Sequence, residues 1–310
     1  MALGSAAHAL KHDGFSDIRN NTRYVVGDIE INVARHSGYC WGVSRAVERT
    51  VEKAKTSDKP VTTFGPLIHN PQTVQELRDR YGVNYVTAPE QIDEGTVIIR
   101  THGAPVHVQR ELKEKGLEVI DATCPYVRVT QNYATLLHGE KYHVVIIGDP
   151  KHPEVISIMS YAEGEGTVVK TVDDVKLIPK GVRRIGVVFQ STMILERVNA
   201  ILARIMEVAQ EVRVFNTICY VTAERQGDAE EVAKHNEFVV VVGGNESSNT
   251  KKLAAVAERF GARTQLIERP QDLRFEEFGN ARKIGVLAGA STPNWLIDDV
   301  VEALRKHFAK

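Results

Sequence analysis

The chain has 310 residues, 43% of them hydrophobic and 25% charged, which is ordinary for a globular protein in water and long enough for about two or three domains. With 39 basic against 40 acidic residues there is no electrostatic footprint for nucleic acid, and no apolar run approaches the length of a membrane span. Only three cysteines occur, without the spacing of a disulfide framework, so a reducing compartment is indicated and a cytoplasmic location is expected.

Residues 1–26 are rich in Ala, Asp, Asn and His, lack the apolar region of a secretory signal, and read as a loosely docked N-terminal extension. Beyond them β-branched runs alternate with helical patterns. A strand at 29–33 precedes a helix at 43–55, and a strand at 61–64 precedes a helix at 73–81. Strands at 97–99 and 117–120 are followed by helices at 106–115 and 127–138. Strands at 144–147, 167–169 and 185–188 lead to a helix at 195–209, and a strand at 212–215 leads to a helix at 221–235. The last segments are a strand at 238–242, a helix at 251–260, strands at 265–267 and 284–287, and a helix at 295–308. Such alternation predicts βαβ units, an α/β fold with mainly parallel sheets, and ligands bound beyond the carboxyl ends of the strands.

Each cysteine sits where a strand-like run gives way to a helix-like one: Gly38-Tyr39-Cys40-Trp41-Gly42, Asp121-Ala122-Thr123-Cys124-Pro125 and Asn216-Thr217-Ile218-Cys219-Tyr220. A lone cysteine in such a place is often a small buried hydrophobe. Three in one context point to converging thiolate ligands, since a helix N-terminus favours the charged sulfur. No fourth cysteine exists, so another residue type completes the shell or a metal keeps an open position. The spacing suggests three pseudo-threefold-related lobes around a shared thiolate centre, near 27–125 carrying Cys40, 126–219 ending near Cys219, and 220–310.

Three histidines fall in loops after strands: Ile68-His69-Asn70-Pro71, Thr101-His102-Gly103 and Lys151-His152-Pro153-Glu154. Turn histidines commonly do no more than bind backbone, but three at ligand-side loops suit anion binding or proton transfer. Glu154 would stand in the first turn of a helix begun by Pro153, as a dipole-compatible residue or as a carboxylate held toward the site. Hydroxyl and amide donors at helix starts, suited to phosphate, occur at Gln190-Ser191-Thr192, at Gly243-Gly244-Asn245-Glu246-Ser247-Ser248-Asn249-Thr250 and at Gly289-Ala290-Ser291-Thr292-Pro293. Ordinary N-capping selects the same types. The fingerprints of nucleoside triphosphate and dinucleotide binding are absent, as is H-E-x-x-H. From the residues alone a zinc hydrolase or lyase with three thiolates and a water stays open, and a non-catalytic iron–sulfur redox sensor is a further reading.

These motifs, together with Leu67-Ile68-His69-Asn70 and His152-Pro153-Glu154-Val155, resemble the LytB/IspH family of 4-hydroxy-3-methylbut-2-enyl diphosphate reductases over residues 29–306. The resemblance implies three α/β lobes around a [4Fe–4S] cluster held by Cys40, Cys124 and Cys219, with one iron lacking a cysteine. It implies that His69, His102, His152, Ser247, Ser248, Asn249 and Ser291 bind the substrate diphosphate. Glu154 matches the proton-relay carboxylate, and Ser191 stands where the family commonly has threonine, keeping the hydroxyl. The implied partner is a ferredoxin- or flavodoxin-like electron donor. Ala223-Glu224-Arg225-Gln226 departs from the usual Thr-Asn-Arg-Gln run, Trp41 is bulkier than many residues found there, and the N-terminal extension has no counterpart.

Overall fold

A computed structural model of the chain describes residues 22–309. Most of the expected N-terminal extension therefore lies outside the described residues, but its last part is a strand, β1 (Arg23–Val26), which turns back on β2 (Ile29–Val33). There follow α1 (Trp41–Thr56), β3 (Val61–Phe64), α2 (Pro71–Tyr81), β4 (Asn84–Val86), β5 (Thr96–Ile99), α3 (Val106–Glu114), β6 (Glu118–Asp121) and α4 (Pro125–Gly139). Next come β7 (His143–Ile147), α5 (Pro153–Ser160), β8 (Gly166–Val169), β9 (Arg184–Phe189), α6 (Leu195–Met206), β10 (Glu211–Val214) and α7 (Tyr220–His235). The chain closes with β11 (Phe238–Val242), α8 (Ser248–Arg259), β12 (Arg263–Ile267), β13 (Lys283–Ala288) and α9 (Asn294–Phe308).

The described residues divide into two compact units, one spanning 40–223 and the other combining 22–39 with 224–309. The first holds two four-stranded sheets, in the orders β4-β3-β5-β6 and β8-β7-β9-β10. The second holds a five-stranded sheet in the order β12-β11-β13-β2-β1. Apart from the antiparallel β1, every pairing is parallel. One topology recurs in all three sheets. Each set of four parallel strands is ordered second, first, third, fourth, provided β2 is counted as the fourth strand of the set begun by β11.

That proviso corrects the expected grouping of residues 27–125. Residues Glu30 to Val33 pair with Lys283 to Val286, so the strand preceding Cys40 belongs to the sheet built from the end of the chain. Within each set a helix follows the first, third and fourth strands, and only short 3₁₀ turns follow the second.

Burial on both faces explains the continuous apolar runs of the central strands. Val145, Ile147, Ile185 and Val187 pack on one face with Val198, Ile201 and Ile205 of α6. Val144, Ile146 and Val188 pack on the other with Ala134 and Leu137 of α4 and Val155 and Ile158 of α5. In the second unit Ile31, Phe238, Val240, Ile284 and Val286 meet Leu296, Val300 and Leu304 of α9. Helix α1 buries Val43, Ala46, Val47, Thr50 and Val51, one stripe at helical spacing.

Gly186 in β9 lets α4 lie close to its sheet: a methyl added there would stand 2.5 Å from Leu137 Cδ2. Gly186→Ala should cost about 1–3 kcal/mol, the usual range for overpacking. Leu137→Val in the same chain should recover part of that loss, as read from chemical denaturation of the four variants of the cycle.

Candidate metal centre and anion site

The repeated strand order sorts the candidate residues. In a second-first-third-fourth sheet the first and third strands are neighbours whose connections leave in opposite directions, which opens a crevice at their carboxyl ends. His69 follows β3 and His102 follows β5; His152 follows β7 and Ser191 follows β9; Ser247 follows β11 and Ser291 follows β13. All six stand at such switch points. The fourth strands β6, β10 and β2 lead instead to Cys124, Cys219 and Cys40, each immediately before a helix.

All three cysteines are half-buried and none is in a disulfide. Cys40 caps α1 and Cys124 caps α4, with their carbonyls accepting from Ser44 N and Arg128 N at 2.9 Å. The amides of Tyr126 and Val127 bond to the Cys124 sulfur, and those of Val221 and Thr222 to the Cys219 sulfur. Gly42 leaves room beside Cys124, for a methyl there would lie 2.7 Å from Sγ.

The expected lowering of the thiol pKa is overturned for Cys124. Burial pushes it up to about 12, outweighing the helix amides, and the Cys40 and Cys219 thiols add to the rise. Cys219 is also raised, by burial first and then by the neighbouring Cys40 and Glu154. Three mutually opposed thiolates become stable together only when a cation joins them, so the donor set fits a thiolate-bound metal or iron–sulfur group.

His69, His102 and His152 pack ring to ring, with centroids 4.4, 5.5 and 5.4 Å apart. Their ligand atoms lie within 4.8 Å of one another, near enough to share a metal ion or an anion. Burial, the other two imidazoles and Arg100 hold His102 well below the ordinary histidine pKa. The permanent charge of Arg100 repels a divalent cation and attracts an anion, which favours the anion. His152 Nδ1 accepts from Glu154 N at 3.2 Å, so a neutral ring carries its proton on Nε2, where it can donate. Gly103, with φ +77, lets the loop pass: a methyl there would lie 2.5 Å from Gln131 Nε2 and 2.6 Å from Ser157 Oγ.

Glu154 is only 2% exposed. Its Oε1 accepts from Ser191 N at 2.6 Å and its Oε2 from Ser191 Oγ at 2.8 Å. The Ser191 carbonyl accepts from Cys219 N at 2.9 Å. Ser191 therefore ties the carboxyl to the backbone of a cysteine, and α5 to the loops after β9 and β10.

In the second unit Ser247 caps α8, accepting from Thr250 N at 3.3 Å, and places Ser248 and Asn249 in the first turn. Thr292 Oγ1 donates to Val242 O at 2.9 Å and joins the loops after β11 and β13. Asn249 is 5% exposed, yet among the described residues neither its Oδ1 nor its Nδ2 has a hydrogen-bond partner. An unsatisfied buried amide costs about 1–3 kcal/mol, a cost relieved when a polar ligand arrives. Two residues to which the sequence reading assigns no role are Arg100, and Arg225, which donates to Ala288 O at 2.9 Å and to Gly38 O at 2.7 Å.

A raised thiol pKa means that Cys124 is protonated at neutral pH and gains thiolate as pH rises. In metal-free protein its alkylation by iodoacetamide should be slow at pH 8 and still accelerating at pH 10, as followed by peptide mass spectrometry. A plateau by pH 10, as for an ordinary thiol, would contradict the burial effect.

Among the described residues no helix is long and apolar enough to cross a membrane. The family model described as LytB protein matches residues 31–305. A 4-hydroxy-3-methylbut-2-enyl diphosphate reductase from Anaeromyxobacter sp. (strain Fw109-5) is 42% identical over 278 residues, covering 89% of this chain and 97% of that protein. Its counterpart from Aquifex aeolicus (strain VF5) is 39% identical over 282 residues, covering 90% and 96%. A solved (E)-4-hydroxy-3-methyl-but-2-enyl diphosphate reductase, the terminal enzyme of the non-mevalonate pathway, aligns with TM-score 0.66 and 38% identity over 89% of this chain and 99% of that one. The E-1-hydroxy-2-methyl-but-2-enyl-4-diphosphate reductase from Plasmodium falciparum aligns with TM-score 0.84 and 27% identity over 88% and 87%. With its cysteines after the fourth strands and its polar loops at the switch points, the chain belongs to the LytB family.

Proposed function

We propose that the chain reduces (E)-4-hydroxy-3-methylbut-2-enyl diphosphate to isopentenyl diphosphate and dimethylallyl diphosphate, the last step of the methylerythritol phosphate route. The allylic carbon–oxygen bond breaks, two electrons and two protons are taken up, and the hydroxyl leaves as water. The observation that carries this reading is one half-buried free cysteine after the fourth parallel strand of each sheet, with polar loops at the switch points. Cys40, Cys124 and Cys219 would hold a [4Fe–4S] cluster with one iron lacking a cysteine. Such a group supplies electrons singly and a Lewis-acidic iron for the hydroxyl oxygen.

The protein's own groups do the rest. His69, His102, His152, Ser247, Ser248, Asn249 and Ser291 bind the diphosphate, the imidazoles and amide donating to its oxygens. Support comes from the unsatisfied Asn249 amide and from the Arg100 charge beside the histidines. Glu154 delivers a proton to the departing hydroxyl, and Ser191 fixes the carboxyl's direction through two bonds. Electrons come from a separate ferredoxin- or flavodoxin-like protein. Trp41 and Tyr220, each next to a cysteine and about half exposed at 45% and 53%, offer an apolar surface for its approach. A cytoplasmic location accords with three unpaired cysteines.

Anaerobic turnover of the hydroxylated allylic diphosphate with a chemical reductant tests the reading. The natural chain should form both products, and Glu154→Gln, which keeps size and acceptor but loses the acidic proton, should lose about 10²–10⁴ in turnover while still binding substrate. Near-normal turnover by that variant would move proton delivery elsewhere, and no product from the natural chain would refute the assignment.

A further inference from the structure

Arg100 ends β5's exit and precedes the loop that carries His102. Its side chain lies over Gly65, in the loop after β3: a methyl added to Gly65 would stand 2.4 Å from Nη1 and 2.7 Å from Cζ. Gly65 has φ +72, in the left-handed region that favours glycine, so the slot is formed by the backbone itself. Among the described residues Arg100 Nε is buried without a hydrogen-bond partner. Burial pushes the guanidinium down to about 10, with no carboxylate among the described residues acting against it, so the group stays charged at neutral pH.

A desolvated cation without a counter-ion destabilises a fold, and structures usually neutralise it. Here the field of Arg100 reaches His102, which packs against His69 and His152. An imidazole held neutral, as His102 is, donates a hydrogen bond but brings no fixed charge, so it discriminates poorly between anions of different valence. Coulombic attraction grows with ligand charge and is strong where water is excluded.

We propose that Arg100, seated in the Gly65 slot, supplies the fixed positive charge by which the histidine site selects a diphosphate over an anion of lower charge. The inference rests on reading that site as the diphosphate site. Arg100 thus sets affinity and selectivity, while the histidines set hydrogen-bond geometry.

Calorimetric titration of the anaerobically purified enzyme with inorganic diphosphate and with inorganic phosphate tests this, using the natural chain, Arg100→Met, Arg100→Lys and His102→Gln. Arg100→Met should weaken diphosphate binding at least about tenfold, and phosphate binding by a smaller factor. Arg100→Lys, which restores charge without the planar fork, should recover most of the diphosphate affinity. The dependence of diphosphate binding on salt should flatten in Arg100→Met. Unchanged diphosphate affinity in Arg100→Met, or equal losses for both anions without rescue by lysine, would overturn the proposal alone. Failure of the natural chain to bind diphosphate, or unchanged binding by His102→Gln, would instead remove the diphosphate reading on which it rests.

Discussion

Unpaired amides at the N-termini of helices that follow parallel strands are the interaction on which both halves of the chemistry depend. A parallel sheet sends every strand's carboxyl end the same way, and each helix that follows starts there with its first N–H groups unbonded. The chain uses this edge in two distinct ways. First strands lead to the caps Asn70, His152 and Ser247, which satisfy amides of α2, α5 and α8 with their own side chains. Fourth strands lead to Cys40, Cys124 and Cys219, and for Cys124 and Cys219 the amides are spent on sulfur.

The second consequence is electrostatic. Helix amides stabilise a thiolate by a modest amount, and burial beside other thiols costs more, as the Cys124 pKa of about 12 records. Burial therefore holds Cys124 and Cys219 toward their protonated forms, and a bound cationic group would favour the thiolates. The opposite imbalance holds at the histidines, where among the described residues Arg100 is a cation without a carboxylate partner. Each half of the site is incomplete in the sense that matches its proposed occupant: metal for the thiols, an anion for the imidazoles.

Much of this was legible in the sequence, for reasons visible in the packing. Strands buried on both faces, such as Phe238–Val242, spell continuous β-branched runs and were placed to the residue. Strand β4, three residues with Asn84 and Tyr85 exposed, leaves no such run and was not anticipated. The pairing of β2 with β13 joins opposite ends of the chain, and local spacing says nothing about a partner so distant. The cysteine, histidine and Glu154 positions could be read because helix starts after strands have a recognisable chemistry. The Glu154–Ser191 bonds could not, since they depend on β7 and β9 being neighbours. Arg100 escaped notice because an arginine at a strand end normally reaches solvent, and only the structure reveals the glycine slot beneath it.

The central claim is that three cysteines, one after each fourth strand, hold an iron–sulfur group with an open position. Quantifying iron, acid-labile sulfide and zinc in the anaerobically purified protein, with its visible absorption spectrum, tests this most directly. The account expects a brown protein with about four iron and about four sulfide per chain. A colourless protein carrying zinc and no sulfide would contradict it.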